Sequence, residues 1–248
     1  MRKASNILTE FEGLKSTQRQ NLIAAYITRL FLKGGFEIVQ QPGGSKPQML
    51  VKDLPDTAAQ DDDNDTKLES ELHSFIKEAA GDDRILQKNE LRRWSKYNGR
   101  TLYAWSNRIE NGATVWTMKP EEVRQVFGLR KFLKDFTLIK DRGVVEVKLW
   151  NDYLVFASLY GIADQVMRDF RKVCPEYFRL SSSAEFFNDS ATNLLIWDMI
   201  NMTSRDFSVA ASTYEASLNS SSSSGGGGSS SWGGGGGHSG GGSGGGGR

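Results

Sequence analysis

Residues 148–170 read KLWNDYLVFASLYGIADQVMRDF, and the stretch from Tyr153 to Ala163 within them is almost unbroken apolar and aromatic sequence. A helix that is apolar on every side has to be buried against partners. A membrane span needs roughly 20 consecutive apolar residues, and Asp152 and Asp164 close this stretch well before that length. The stretch therefore predicts the buried centre of a soluble domain.

A second amphipathic helix is predicted just before this stretch. Between Glu121 and Lys140 the apolar positions advance by three or four residues through Val126, Leu129, Leu133 and Phe136. We expect the two helices to cover each other as an antiparallel pair joined near Gly143. Gly161 lies inside the apolar run, where glycine costs about 1 kcal/mol relative to alanine, so close approach of the neighbouring helix is expected there.

The N-terminal part predicts a helix followed by a β-hairpin. Residues 17–33, TQRQNLIAAYITRLFLK, place their apolar side chains at helical spacing, and Gly34 and Gly35 end the pattern. Two short β-prone runs follow, FEIVQQ and QMLVKDL, on either side of a turn rich in glycine and proline. A helix followed by a hairpin is the closing half of a winged-helix unit.

Further helices are predicted at 67–80 and at 89–110, the second divided near Asn98 and Gly99. The acidic segment 56–66 before them reads as a solvated loop that supplies a helix cap at Asp65 or Thr66. Beyond residue 180 only a short docked helix is expected.

The predicted fold class is mainly α, with winged-helix-like units, a small β-hairpin, a C-terminal antiparallel helical hairpin and a Ser/Gly tail that is expected to be disordered. The predicted domains are a winged-helix-like region at 1–118 with its hairpin at 36–54, a helical hairpin at 119–180, a partly docked linker at 181–219 and the tail at 220–248.

Composition and cysteine content favour an intracellular protein without a polyanionic ligand. The chain has 31 Lys and Arg against 30 Asp and Glu, whereas proteins that neutralise phosphates usually carry a clear basic excess. The single cysteine, Cys174, cannot form an internal disulfide. The N-terminus lacks the apolar segment of a secretion signal.

No catalytic, metal or cofactor site is predicted. The two histidines, His73 and His238, lie far in sequence from Cys174, so no zinc-ligand spacing exists. His73 is interpreted as a helix-surface residue rather than as a member of a catalytic triad. The glycine-rich tail lacks the strand and the helix that flank a phosphate-binding loop. We therefore expect a protein that is not an enzyme.

The segment LRRWSKYNGR at 91–100 is a candidate contact for an anionic surface, whether phosphate, lipid headgroup or acidic partner. Its cationic residues are Arg92, Arg93, Lys96 and Arg100. A solvated helix face is the simpler interpretation of the same cluster.

The segments FGLRKFLKDFTLI (127–139) and VKLWNDYLVFASLYGIADQVMRDFRKVCPEYF (147–178), together with the Ser/Gly tail, resemble the C-terminal cytoplasmic part of the YciQ-like predicted membrane proteins of bacteria. The residues upstream resemble the soluble winged-helix-like segment of that family. The resemblance implies a cytoplasmic domain of a membrane-anchored parent of unknown function, with no catalytic residues to carry over.

The chain departs from that family where a hydrophobic pair usually precedes the FLKDF helix, since RIENGATVWTMKPEEV (108–123) stands there. It also lacks the family's membrane spans and extracytoplasmic β-rich domain, so we expect either an engineered soluble fragment or a natural soluble relative. Attachment to the bilayer is then implied only for the parent protein.

Two functions remain in competition at the level of sequence. The first is a non-enzymatic protein-interaction or scaffold domain that binds a protein partner not identified by the sequence. The alternative is a nucleic-acid-binding winged helix that contacts DNA through Arg19, Arg29 and Lys46. Shape alone does not decide between them, because winged-helix folds serve both functions.

Overall fold

The computed structural model describes residues 1–13, 15–39, 48–54, 64–87, 89–111, 119–135, 150–173 and 190–222. Within these ranges the helices are α1 (Arg2–Glu12), α2 (Lys15–Leu32), α3 (Asn64–Ala80), α4 (Glu90–Tyr97), α5 (Gly99–Asn111), α6 (Pro120–Asp135), α7 (Trp150–Leu159), α8 (Ala163–Val173) and α9 (Ser190–Ser222). The strands are β1 (Phe36–Val39), β2 (Gln48–Val51) and β3 (Ile85–Leu86). The predicted mainly α fold is confirmed.

The sheet is small and antiparallel, with strand order β1-β2-β3. The predicted hairpin is confirmed, since Phe36 of β1 pairs with Val51 of β2. Strand β3 was not predicted, because two residues are too few to show an alternating pattern; Leu86 pairs with Met49. The winged-helix interpretation of these elements stays a prediction, and the hairpin turn lies outside the described residues.

Helix α2 is the centre of the core. Its fully buried side chains include Leu22, Ile23, Tyr26, Ile27 and Leu30, and it packs against α7, α9, α3 and α1. The helix ends where predicted, because Gly34 adopts a left-handed φ of 77° and the following amide donates to the Leu30 carbonyl at 2.9 Å. This is the backbone pattern that glycine permits at a helix end.

The apolar stretch of α7 is buried as predicted, but its main partner is not the predicted one. Leu154 and Leu159 are 1% and 0% exposed, and within the described residues α7 packs chiefly against α2 rather than α6. Helix α6 buries only Leu133 completely. Spacing identifies the apolar face of a helix without identifying the face that covers it. The predicted junction near Gly143 lies outside the described residues.

The prediction that Gly161 lies inside a helix is wrong. Gly161 has a left-handed φ of 67°, and the next amide, of Ile162, donates to the Ala157 carbonyl at 2.9 Å. The glycine therefore ends α7 instead of interrupting a longer helix. Close approach of a neighbour is present, because a Cβ at this position would lie 3.1 Å from the Asn21 Nδ2 atom of α2.

Helix α9 is far longer than the short helix predicted in this part of the chain. Large apolar residues anchor its first half, with Trp197, Ile200 and Phe207 buried. The second half packs through small residues such as Ser208 and Ala211, which show no apolar stripe in the sequence. The predicted division near Asn98, by contrast, is confirmed by the boundary between α4 and α5.

One cluster of buried apolar residues includes side chains from α2, α7 and α9. The predicted domain boundaries stay a prediction, as does the tail, which lies outside the described residues apart from its first three positions. Among the helices that the structure describes, none combines the length and the apolarity needed to cross a bilayer.

Candidate interaction groove

Helix α4 presents a basic face to solvent and an apolar face to the core. Leu91 and Ser95 are buried, and the Trp94 ring lies between Phe75 and Phe207 with centroid distances of 5.7 and 6.4 Å. These contacts hold α4 between α3 and α9. The residues on the opposite side of the helix are consequently turned outward.

An open groove of about 570 Å³ runs between α4 and α9. We call it the α4–α9 groove. Its lining includes Arg92, Arg93, Lys96, Asp206, Val209, Ala210, Thr213, Tyr214 and Ser217. Its size falls in the range of ligand sites, roughly 300–1,000 Å³. Val209 is 55% exposed in the groove, so an apolar side chain faces solvent beside a row of cations.

The arginines of the groove have only weak partners. The Arg92 Nη2 atom donates to Asn89 Oδ1 at 3.3 Å, and the Arg93 Nη2 atom lies 3.8 Å from Glu90 Oε1 with the arginine 73% exposed. Exposed ion pairs of this kind contribute about 0–1 kcal/mol. Both guanidinium groups can therefore exchange these contacts for a ligand at small cost.

Lys96 and Arg100 are exposed and form no ion pair with any residue that the structure describes. Lys96 lines the groove, whereas Arg100 lies at the start of α5 and is not part of the lining. Three of the four cations predicted as an anionic contact are thus brought together at one site.

Asp206 adds a carboxylate to the α9 wall. Burial raises the pKa of this group, and the nearby Arg92 and Arg205 oppose that shift. The groove consequently combines a cationic wall with one negative charge across from it.

Arg19, the first of the predicted DNA contacts, is an interior residue. The Arg19 side chain is only 3% exposed, and it forms an ion pair with Glu110. Its Nη2 atom lies 3.1 Å from Glu215 Oε2. Its Nη1 atom donates to Ser212 Oγ at 3.0 Å. These contacts join α2 to α5 and α9. A side chain held in this way does not reach a phosphate on the outside.

Arg29, the second predicted DNA contact, has a different acidic partner from Arg19. The Arg29 Nη2 atom is 3.6 Å from Oε2 of the buried carboxylate Glu69, which also accepts from Lys33 Nζ at 2.8 Å. Lys46 lies outside the described residues. The predicted DNA surface stays a prediction, with Arg19 in the interior and Arg29 next to the buried Glu69.

The interpretation of His73 as a surface residue is wrong. The side chain is 6% exposed, its Nε2 atom donates to the Lys52 carbonyl at 2.8 Å, and its ring stacks on Phe36. Burial lowers the pKa of His73. Its position three residues before Ile76, at the edge of the apolar stripe, is the signal that could have indicated this.

The apolar contribution of α9 to the groove was missed by sequence reasoning. Met202, Val209 and Ala216 recur every seven residues, and of these Val209 lines the groove and is 55% exposed. A repeat of seven residues places side chains on one side of a helix, so this spacing was the available signal.

In the described part of the chain no three His, Cys, Asp or Glu side chains are grouped so that they could hold a metal ion. Cys174 lies outside that part.

The molecule is therefore a largely helical domain with a small antiparallel sheet and an open groove lined by cations on one wall. Residues 115–170, which include α6, α7 and most of α8, match the family model described as the C-terminal domain of a predicted membrane protein, DUF2207. No curated protein and no solved structure matches the chain. This match supports the resemblance to a predicted membrane protein family over that segment, and the α4–α9 groove lies outside it.

Proposed function

We propose that the chain acts as a non-enzymatic protein-interaction domain of a YciQ-like membrane protein of unknown function, located on the cytoplasmic side. The α4–α9 groove is its binding surface. The observation that carries this proposal is the exposed Val209 beside Arg92, Arg93 and Lys96, none of which has a strong partner.

The composition of the groove suits a protein ligand. Arginine and tyrosine are enriched at protein interfaces, and buried arginine and aromatic anchors carry much of the binding energy there. The groove contains Arg92, Arg93 and Tyr214. An apolar group of a partner that covered Val209 would remove this side chain from water, which favours association.

Both walls of the groove are held in place before any ligand arrives. Helix α4 is fixed by the Trp94 ring, and α9 is tied to α2 and α5 through Arg19, Glu110 and Glu215. A preorganised surface loses less conformational entropy on binding. The same network supports the interaction function over the nucleic-acid alternative, because it uses Arg19 inside the protein.

Photo-crosslinking in the cells that naturally produce the protein tests the proposal. A photoreactive phenylalanine derivative replaces Val209 in the groove or, as a matched control, the 75%-exposed Arg124 on α6. We expect a protein adduct that depends on light at position 209 and not at position 124. Charge reversal at Lys96 should reduce that adduct. Equal adducts at both positions, or none at position 209, would contradict the proposal.

A further inference from the structure

The α4–α9 groove has two chemically different walls. Arg92, Arg93 and Lys96 form the α4 wall, and the hydroxyl-bearing residues Thr213 and Ser217 belong to the α9 wall. The apolar surface of Val209 and Ala210 completes the lining. A ligand that satisfies this lining has to offer negative charge along one side and an apolar group beside it.

We infer that the groove binds an acidic amphipathic segment of a partner protein, which places carboxylates against α4 and an apolar side chain on Val209. This inference rests on the proposed interaction function and specifies its ligand. It follows from charge complementarity, because the α4 wall carries three cations whose described partners are weak or absent.

The spacing of the cations sets the spacing of the ligand's acids. Arg93 and Lys96 are three residues apart in α4, and residues at this separation are neighbours on a helix surface, about 5–6 Å apart at Cβ. Carboxylates one helical turn apart on the partner match this distance. Arginine also pairs with a carboxylate through two parallel hydrogen bonds, which lysine cannot do.

Small side chains on α9 allow the ligand's backbone to come close. Ala210, Thr213 and Ser217 line the groove, and the first residue of α5, Gly99, has no side chain to fill the space near Tyr214, whose Cβ would lie 3.4 Å from an added Cβ. The apolar side chain of the partner can therefore rest on Val209 without clashing with the groove walls.

Phosphate-rich ligands fit the groove less well. The Asp206 carboxylate lies in the same groove as Arg92, so the lining favours a few carboxylates held against α4 over a closely spaced row of phosphates that would also face Asp206. The whole chain carries a formal net charge of only +1, which gives little long-range attraction to a polyanion. The groove is also concave, whereas the headgroups of a bilayer present a broad surface that favours a convex patch.

Fluorescence anisotropy with labelled peptides and the full chain tests the inference. The first peptide is an amphipathic helix with glutamates four residues apart beside a leucine stripe, and the second has glutamine in place of every glutamate. We expect the glutamine peptide to bind at least about tenfold more weakly, the loss that corresponds to about 1.4 kcal/mol. Equal affinity for the two peptides would overturn the inference.

A matched pair of charge-reversal variants locates the binding site. Arg93→Glu with Lys96→Glu changes the groove, whereas Arg124→Glu with Lys131→Glu makes the same change in net charge on α6, where both cations also have acidic neighbours. We expect the first variant to lose affinity for the acidic peptide about tenfold or more and the second to retain it. Equal losses in both variants would show non-specific charge attraction and overturn the inference.

Two further probes separate the competing ligands. Short duplex DNA and phosphatidylglycerol vesicles are titrated against the same chain, and tighter binding of either probe, abolished by the Arg93 and Lys96 reversal, would overturn the inference. Failure of the acidic peptide together with a specific crosslink at Val209 would leave the interaction function standing. Absence of that crosslink would instead remove the interaction function itself.

Discussion

The arginines of α2 and those of α4 look alike in the sequence and have opposite roles in the structure. Arg19 is enclosed by Glu110 and Glu215 at the junction of α2, α5 and α9. Arg92 and Arg93 lie on the outside of α4 with weak partners. The first group holds the groove walls in position, and the second group is available to a ligand.

The role of a cation therefore depends on the carboxylates that the fold places near it. Breaking a buried charge pair leaves the remaining charge without water or a partner, which costs several kcal/mol. An exposed pair can be broken at almost no cost because water replaces the partner. Stability should therefore depend on Arg19, and binding on Arg93 and Lys96.

The largest effect is expected from Arg19→Leu. This change leaves the largely buried Glu110 without its cation, and we expect it to lower the free energy of unfolding by about 3–5 kcal/mol. At about 2–4 °C per kcal/mol for a domain of this size, the melting temperature should fall by roughly 10 °C. Calorimetry measures this directly. A fall of under about 2 °C would mean that the pair does not stabilise the α2 junction.

A smaller loss is expected from Gly161→Leu, which strains the contact between α7 and α2 without a change in charge. The left-handed backbone of Gly161 costs a residue with a Cβ about 1–2 kcal/mol, and the new Cβ would press on Asn21. Gly128→Ala in α6 is the matched control, since no atom lies within 4 Å of its Cβ position, and it should raise stability by about 0.5–1 kcal/mol. Urea denaturation should show a lower free energy of unfolding for Gly161→Leu and a higher one for Gly128→Ala than for the unchanged chain. Identical signs would contradict the assigned backbone roles.

The buried His73 extends the comparison to pH. Because burial lowers its pKa in the folded state, the unfolded state binds more protons as the pH falls below the ordinary histidine value of about 6.5. Its contribution to stability is therefore complete above that pH and is lost as the pH falls through the lowered pKa of the folded state. The urea concentration at the unfolding midpoint should fall between pH 7.5 and pH 5.5, and this fall should be smaller in His73→Gln than in the unchanged chain. An equal fall of the midpoint in both proteins would contradict the neutral, buried state of His73.

The smallest effect on stability is expected on α4. Arg93→Ala with Lys96→Ala should change the free energy of unfolding by no more than about 0.5 kcal/mol, since neither side chain has a strong partner. Thermal denaturation of this variant beside Arg19→Leu provides the sharpest contrast between the two groups. A destabilisation comparable to that of Arg19→Leu would assign the α4 cations a structural role and erase the distinction.

Local chemistry explains the elements that sequence reasoning predicted correctly. Helix α2 and its end at Gly34, the division near Asn98, the β1–β2 hairpin and the burial of Leu154 and Leu159 all follow from side-chain spacing or from backbone conformations open to glycine. The cluster on α4 was also visible as a group of cations, because residues three or four positions apart in a helix share a face. These properties depend on residues only a few positions apart.

Tertiary structure alone decided that α2 covers α7, that α9 continues to Ser222, and that Arg19 and His73 are interior residues. The groove, too, exists only because α9 lies beside α4, more than a hundred residues away in the chain. Spacing along a helix determines which side chains share a face. Which element covers that face depends on packing and charge pairing between segments far apart in the chain, and a local sequence pattern does not record those contacts.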